Sequence, residues 1–379
     1  MSVRKRVWTT RKGEQREAWV VAYADQDGDR HIETFRKKKD ADARHDQVRQ
    51  NVREGVHTAP TKSITVAAAA KQWLDYVKGE KREPTTVMSY DQHIRLHIAP
   101  RLGAWKLANL TGPKVEAFRD ELVANLSRPL AKKVLQTLKA ILKDAKRRGN
   151  VAQNVAADVA VKVDGRSKPR LEVGKDIPTP DEMRRIFGAA PHGRARALLV
   201  TAALTGLRAS ELRGLRWQDV DLKHGKLTVN QRADRFGTIG APKSATSHRT
   251  LPIGQMVVNT LREWKLPCPK GDLVFPTSIG TIEHLGNIIN RILEPALVAA
   301  GVVDARGRPK YSMHALRHFY ASWCINRAVD GGLELPPKTV QTRLGHASIV
   351  MTLDRYGHLF PSHDDGAELT AAEMALFAT

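Results

Sequence analysis

The chain has 379 residues, 41% of them hydrophobic, and its 62 lysines and arginines against 40 aspartates and glutamates give a formal net charge of +22. This length predicts two or three folded domains, and two cysteines far apart in sequence, Cys268 and Cys324, exclude a disulfide framework and a cysteine-based metal knuckle. The cationic surplus favours a polyanionic partner, because lysines and arginines that neutralise phosphates release counterions, whereas the alternative is a generally basic soluble protein.

Residues 1–57 predict a small β-rich module. Segments 18–23 and 30–35 are strand-like and flank a glycine turn, so a hairpin is expected. The residues after this hairpin predict a helix that ends at Gly55. Arg36 and Lys37 are candidate DNA contacts at this junction. The charged N-terminal stretch lacks the apolar core of a signal peptide, which favours a cytoplasmic protein.

Residues 63–163 predict a helical domain. Ser127 is placed to cap a helix that runs through about Arg148, with an apolar stripe at helical spacing. A row of lysines lies largely off that stripe. These lysines are either a solvated helix face or phosphate contacts, and they give four further DNA-binding candidates: Lys132, Lys133, Lys139 and Lys143.

Residues 164–175 predict a basic linker, and residues 176–361 a mostly helical domain that opens at Thr179 or Asp181. Strands are expected at 226–230 and 248–253, around a loop that contains Lys243. The longest mostly apolar run, 197–207, is too short to span a bilayer, so no membrane association is expected.

Several chemistries are disfavoured by what the sequence lacks. It has no glycine-rich phosphate loop of the NTPase type and no tight carboxylate cluster of the two-metal nuclease type. His314 and His318 are four residues apart and could face one metal ion, but no third ligand is evident. We therefore expect neither a metal nor a cofactor.

Two basic motifs could bind a phosphate. Arg208 follows a glycine among apolar residues, where an unpaired cation is costly; it either pairs with Glu211 or grips a phosphate. His314 and Arg317 share one helical face, where a capping histidine and a surface arginine are the ordinary interpretation. His346 then stands near an expected helix start.

Five short motifs occur in the order and approximate spacing of the tyrosine recombinase (phage integrase) family. They are TGLRASEL, the lysine of APKSATSHRTLPI, HALRH, LGHAS and the tyrosine of DRYGH, all between residues 205 and 358. The chain resembles this family on these motifs. More loosely, residues 63–163 resemble its SAM-like core-binding domain, and residues 1–57 resemble the three-stranded, AP2-like arm-binding module of lambda-type integrases.

The resemblance implies a role for each cation. Arg208 and Arg317 would hold the non-bridging oxygens of the scissile phosphate, with Glu211 supporting Arg208. Lys243 would be the general acid for the leaving 5′-oxygen. A phosphodiester transition state carries extra negative charge, which fixed guanidinium groups stabilise.

The resemblance also implies how the nucleophile works. Tyr356, ten residues beyond His346, would attack phosphorus to give a 3′-phosphotyrosine. His314 would assist proton transfer at the nucleophile, and His346 would hydrogen-bond the phosphate. Tyr311 and Tyr320 also lie near the HALRH motif, but neither has this spacing, and Tyr320 is expected in the core.

The fold and partners implied are those of the family. The fold would be mainly α with small β-sheets, in a multi-domain clamp on double-stranded DNA with core and arm attachment sites. A homotetramer would form on DNA through a Holliday junction, aided by DNA-bending and excision proteins. The location would be the bacterial cytoplasm, at the nucleoid, and the reaction would integrate or excise a phage or mobile element.

Two other functions and one structural question stay open. A type IB topoisomerase would use similar chemistry to relax supercoils, and a non-catalytic DNA-binding regulator would keep the fold without the reaction. The acidic tail, residues 362–379, either packs on its own domain or docks on a neighbouring protomer.

Overall fold

The computed structural model describes residues 2–11, 13–25, 28–55, 57–59, 63–80, 82–162, 170–242, 245–361 and 366–377. The chain divides into two compact units, Met1–Gly165 and Arg166–Thr379. Both are mainly helical with small antiparallel sheets, which confirms the predicted fold class. No helix in the described ranges is both long and apolar enough to cross a membrane.

The first unit begins with a three-stranded antiparallel sheet and one helix. The strands β1 (Ser2–Thr9), β2 (Gln15–Ala24) and β3 (Arg30–Phe35) pair in chain order, and α1 is Lys38–Arg53. The residues themselves predict only β2 and β3, because the many cations in β1 hide its alternation. The core between the sheet and α1 is small and contains four buried residues: Val21, Tyr23, Ala41 and Val48.

The rest of the first unit is helical and has its own core. Its helices are α2 (Val66–Gly79), α3 (Pro84–His93), α4 (Ala99–Leu102), α5 (Gly112–Asn125) and α6 (Arg128–Arg147), with a π-helical turn, Ile94–Ile98, joining α3 to α4. The predicted stripe of α6 is buried as expected: Val134, Leu135, Leu138, Ile141, Leu142 and Ala145. Each large buried side chain contributes about 1.5–3 kcal/mol. Ser127 is the N-cap residue, but its side chain makes no capping hydrogen bond.

The second unit contains the remaining helices. They are α7 (Pro180–Ala189), α8 (Arg194–Thr205), α9 (Ala209–Arg213), α10 (Gln255–Lys265), α11 (Leu285–Ile288), α12 (Glu294–Ala299), α13 (Met313–Ile325), α14 (Pro337–Leu344), α15 (Ile349–Tyr356) and α16 (Gly366–Phe377). Thr179 opens α7 through a reciprocal capping box with Glu182, which decides between the two predicted starts. One large core, to which α8 and α13 contribute more buried residues than any other element, supports the site described below.

Two small sheets complete the second unit. The strands β4 (Val220–Asp221), β5 (Lys226–Val229) and β8 (Arg249–Pro252) form one sheet, and β6 (Arg232–Ala233) pairs with β7 (Ile239–Gly240). The two predicted strands correspond to β5 and β8, which pair with each other. The short strands β4, β6 and β7 have two residues each and leave no periodicity that a sequence pattern could show.

Candidate active site

One cavity of the second unit brings distant motifs together. Its volume is about 400 Å³, and it is lined by Arg208, His314, Arg317, His318, His346, Met351, Asp354, Arg355 and Tyr356. Five of these are predicted site residues, and they come from three separate stretches of the chain. Lys243, the sixth predicted residue, lies outside the described residues.

Arg208 is positioned by a tight turn between α8 and α9. Gly206 ends α8 in the left-handed region with φ 62°, and a Cβ there would lie 2.3 Å from the ring of Tyr320. Only glycine therefore suits this turn. The guanidinium of Arg208, which is half-buried, donates to Glu211 Oε1 at 2.7 Å and to the carbonyl of Gly345 at 3.0 Å. The predicted pair with Glu211 thus exists and also directs the arginine toward the cavity.

Glu211 joins two arginines beneath the cavity. It is 3% exposed and also accepts hydrogen bonds from Arg249 at 2.9 and 3.3 Å. Arg249 begins β8 and donates in turn to the carbonyls of Arg343 and Ser247. Burial alone would raise the pKa of Glu211, but hydrogen bonds and charge from Arg249 outweigh it and lower that pKa. Glu211 is therefore ionised and holds both guanidinium groups.

Arg317 is the most deeply buried cation of the cavity. It is 3% exposed, and its guanidinium donates to the carbonyls of Gly206 and Leu344. Burial, together with the positive charge of Arg208, lowers its pKa to about 9. It is still cationic at neutral pH, and Arg208 lines the same cavity with its charge paired to Glu211, which also binds Arg249. Such a site favours an anion between Arg208 and Arg317.

Three histidines of the cavity are neutral at ordinary pH. Burial, followed by the charges of neighbouring cationic groups, lowers the pKa of His318 to about 3 and that of His346 to about 4, and it also lowers the pKa of His314. The rings of His314 and His318 meet edge to face with centroids 4.5 Å apart. His346 bonds Thr352 Oγ1 through Nδ1 at 2.9 Å. Neutral imidazoles can donate or accept protons toward a bound phosphate.

Tyr356 ends α15 and points into the protein. It is 2% exposed, and its hydroxyl lies 2.7 Å from Nδ1 of His318. The ring stacks parallel to that of His346, with centroids 6.3 Å apart. Burial raises the pKa of this phenol to about 12, although Arg317, Arg355 and Arg208 oppose the rise.

The contact of the phenol differs from the expectation. The resemblance assigns proton transfer at Tyr356 to His314, whereas the described hydrogen bond of the hydroxyl is with His318. The signal for His318 is its spacing of four residues from His314, which the sequence suggests only as a metal pair. No group of three metal-binding side chains occurs among the described residues.

The other tyrosines have different surroundings. Tyr311 donates to Glu182 at 2.7 Å and lies outside the set of residues that line the cavity. Tyr320 is 1% exposed in the core against Gly206, as expected. Of these three tyrosines, Tyr356 alone lines the cavity that holds both arginines.

The candidate DNA contacts of the first unit lie mostly on its surface. Arg36, Lys37, Lys132, Lys133 and Lys143 are exposed. Lys139 is half-buried and donates to the carbonyl of Ala157 at 2.7 Å, so its charge is partly committed to the fold. Beside α6 the structure shows a polar groove that the sequence does not reveal, lined by Thr85, Thr86, Ser89, Tyr90, Gln92, His93, Leu130, Lys133, Gln136, Thr137 and Ala140.

The cavity histidines His318 and His346 predict a specific pH dependence of stability. Their folded pKa values lie below the unfolded value of about 6.5, so the unfolded chain binds protons first as pH falls. The free energy of unfolding should therefore decrease from about pH 6.5 to about pH 5, above the range in which carboxylates titrate. Urea unfolding at several pH values measures this slope.

The double variant His318→Asn, His346→Asn should flatten that slope. His192→Gln, a change at an exposed histidine, serves as the matched control and should keep it. An equal slope in the double variant and the wild type would show that other groups carry the effect.

Comparison with known proteins agrees with this geometry. The model described as Phage integrase family matches residues 178–363, and that described as Phage integrase, N-terminal SAM-like domain matches residues 65–123. A tyrosine recombinase XerC of Xylella fastidiosa is 30% identical over 268 residues, covering 68% of this chain and 81% of the relative. A tyrosine recombinase XerC-like protein of Caldanaerobacter subterraneus subsp. tengcongensis is 26% identical, covering 89% and 90%.

Solved structures show the same fold. A lambda integrase tetramer bound to a Holliday junction aligns with a TM-score of 0.57 at 19% identity, covering 90% of this chain and 95% of that one. The family matches cover the helical part of the first unit from α2 into α5 and most of the second unit. The chain belongs to the phage integrase family of tyrosine recombinases.

Proposed function

We propose that the protein is a site-specific DNA recombinase that integrates or excises a phage or other mobile element. Its family cleaves and transfers DNA strands through a tyrosine. The observation that carries the proposal is the single cavity that holds Arg208, Arg317, two histidines of the motifs and Tyr356. An integrase of Streptomyces ambofaciens, 27% identical over 90% of both chains, supports the mobile-element role.

The proposed reaction is a transesterification. The oxygen of Tyr356 attacks phosphorus and gives up its proton, for which we assign His314 as the acceptor, and the bond from phosphorus to the 5′-oxygen breaks. Arg208 and Arg317 hold the non-bridging oxygens and stabilise the added negative charge. The leaving 5′-oxygen takes a proton, which we assign to Lys243, and the strand stays attached as a 3′-phosphotyrosine.

The second step reverses the first. A 5′-hydroxyl from another strand attacks the phosphotyrosine, and the phenol of Tyr356 leaves with a proton. One phosphodiester is exchanged for another, so the bond energy is conserved and the reaction as written consumes no nucleotide. His346 is proposed to hydrogen-bond the phosphate in both steps, since its ring faces that of Tyr356.

We assign arm-site binding to the N-terminal sheet. Val3 packs on the core of this module, so the alternate residues of β1 face away from α1. This outer face has four exposed arginines around Trp8 and Ile32: Arg4, Arg6, Arg16 and Arg30. Cations around apolar side chains suit a DNA groove, with phosphates at the rim and base edges at the centre.

Salt dependence tests this assignment. The double variant Arg4→Gln, Arg6→Gln should weaken arm-site binding and lower the slope of log affinity against log salt by about 1 for each phosphate that these arginines no longer neutralise. Lys39→Gln, an exposed change on α1, is the control and should leave the slope unchanged. Weaker binding with an unchanged slope would contradict phosphate binding by these arginines.

Assembly follows from the proposed reaction. Two strand exchanges through a Holliday junction need four active sites, so we propose a homotetramer on core and arm DNA, as in the lambda integrase structure. The exposed apolar residues of α16, Leu369, Met374, Leu376 and Phe377, are available to dock on a neighbouring protomer. We further propose DNA-bending and excision proteins as partners, and the bacterial nucleoid as the location.

The test of the function uses attachment-site DNA nicked near the cleavage point, so that a covalent complex is trapped. A denaturing gel should show a slowly migrating protein–DNA adduct, and intact sites should yield recombinants. Relaxation of supercoiled plasmid without sequence preference would instead favour a topoisomerase. Tight, specific binding with no adduct would favour a non-catalytic regulator.

A further inference from the structure

We propose that His318 is the positioning residue for the nucleophile, holding the hydroxyl of Tyr356 through Nδ1. This inference rests on the proposed function and adds a residue to it. The contact is 2.7 Å long, and both side chains are nearly excluded from water, at 6% and 2% exposure. In such surroundings a hydrogen bond is costly to leave unmade, so the phenol oxygen has a defined place.

The neighbouring rings restrict the phenol further. His318 meets the ring of Tyr356 edge to face with centroids 5.7 Å apart, and His314 packs edge to face on His318. His346 stacks on the phenol itself. The ring of Tyr356 thus contacts both histidine rings, and the described hydrogen bond of its oxygen is with His318.

One helix positions both the phosphate cation and the nucleophile. Arg317 and His318 are adjacent in α13, so their side chains diverge by about 100° around its axis. Arg317 points to the carbonyls of Gly206 and Leu344, and His318 points to Tyr356. Because α13 is rigid, its neighbouring residues Arg317 and His318 together fix the distance from the Arg317 guanidinium to the oxygen of Tyr356.

The charge of His318 defines its role. Burial, His314, Arg355 and Arg317 all disfavour its cationic form, whereas Asp176 opposes them weakly. The other ionisable side chains that line the cavity are Arg208, His346 and Asp354. A neutral imidazole that resists protonation is a poor final acceptor for the phenolic proton. It can still hold the oxygen by donating or accepting one hydrogen bond, according to its tautomer.

The experiment isolates attack by the tyrosine from departure of the 5′-oxygen. Attachment-site DNA with sulfur in place of that 5′-oxygen has a leaving group that needs little protonation, so the single-turnover rate of adduct formation reports on the nucleophile. The matched variants are His318→Asn, whose amide can take the place of Nδ1, and His318→Gln, whose amide reaches toward the place of Nε2. DNA affinity and thermal unfolding are measured alongside.

The two variants should differ. His318→Gln should slow adduct formation by about 10²-fold, the usual cost of misplacing a reacting group, at unchanged DNA affinity. His318→Asn should retain a rate within about threefold of wild type, because its amide restores the bond that orients the oxygen. Its pH profile should superimpose on that of wild type from about pH 5.5 to about pH 8, because a neutral His318 does not titrate there.

Several results would overturn the inference. Equal rates for both variants would show that the hydrogen bond does not position the nucleophile, although the proposed function would stand. An acidic limb present in wild type and absent in His318→Asn would make His318 a titrating base instead. A wild type that binds its site yet forms no adduct would overturn the proposed function itself, and this proposal with it.

A second measurement covers the case in which His318→Gln does not fold. In protein labelled with nitrogen-15 at histidine, Tyr356→Phe should shift the Nδ1 resonance of His318, because the phenolic partner is removed. Tyr311→Phe removes a hydroxyl bonded to Glu182 and should leave that resonance in place. An unchanged resonance in Tyr356→Phe would contradict the hydrogen bond.

Discussion

Replacing Tyr356 with phenylalanine is expected to abolish covalent attachment to DNA, by at least about 10⁴-fold, while DNA affinity is kept. The substitution removes one oxygen and no ring atoms, so the cavity keeps its shape. Because Nδ1 of His318 would lose its buried partner, the free energy of unfolding should fall by about 1–3 kcal/mol. Trapped adducts on nicked DNA measure the first effect, and urea unfolding measures the second.

The other tyrosines near the HALRH motif provide matched controls. Tyr320→Phe and Tyr311→Phe remove hydroxyls from a core residue and from a partner of Glu182, respectively, and both should keep adduct formation. If Tyr356→Phe formed adducts as wild type does, the nucleophile would be another residue. If Tyr320→Phe or Tyr311→Phe abolished them instead, the residue concerned would become the candidate.

The second large effect is expected at Glu211. Glu211→Gln removes the charge that pairs with both Arg208 and Arg249, although the side chain keeps its size. Arg249 is 3% exposed and would be left buried with neutral hydrogen-bond acceptors in place of the carboxylate. Removing one partner of a buried pair destabilises a protein by about 3–5 kcal/mol, and chemical unfolding measures that loss.

Glu263→Gln is the control for this substitution. Glu263 is 52% exposed and pairs with His192 at the surface, so its change should alter the free energy of unfolding by less than about 0.5 kcal/mol. Similar losses in the two variants would contradict the role of Glu211. In the folded fraction of Glu211→Gln we also expect slower cleavage, because Arg208 loses the carboxylate that directs it toward the cavity.

Most residues of the candidate site can be identified in the sequence because they stand in the short motifs that resemble those of the tyrosine recombinase family. Arg208, Arg317 and Tyr356 stand in short motifs, and the turn at Gly206 explains why one motif has a glycine two residues before its arginine. The stripe on α6 and the strands β5 and β8 follow from periodicity, since side-chain direction repeats along regular elements. The motifs, the α6 stripe and the strands β5 and β8 are therefore visible in short stretches of sequence.

The rest depends on contacts between distant residues. No local pattern indicates that His318 rather than His314 bonds Tyr356, because the choice depends on how α13 and α15 pack. The bond from Arg249 to Glu211 joins residues 38 apart and is equally invisible. Strand β1 escapes prediction because its cations interrupt the alternation that marks a strand. The helical pattern also places Lys139 among the surface lysines, but it cannot reveal that the Lys139 ammonium group donates a hydrogen bond to the carbonyl of Ala157.

The central claim is that Tyr356 becomes joined to DNA, and mapping the joined residue tests it most directly. Wild-type protein would be trapped on nicked attachment-site DNA, the complex digested with nuclease and trypsin, and the nucleotide-bearing peptide sequenced by mass spectrometry. Trypsin cleaves after Arg355, so the peptide should begin at Tyr356 and carry a phosphonucleotide on that residue. A phosphonucleotide on Tyr311, Tyr320 or any other side chain would contradict the account, as would DNA cleaved with no nucleotide bound to the protein.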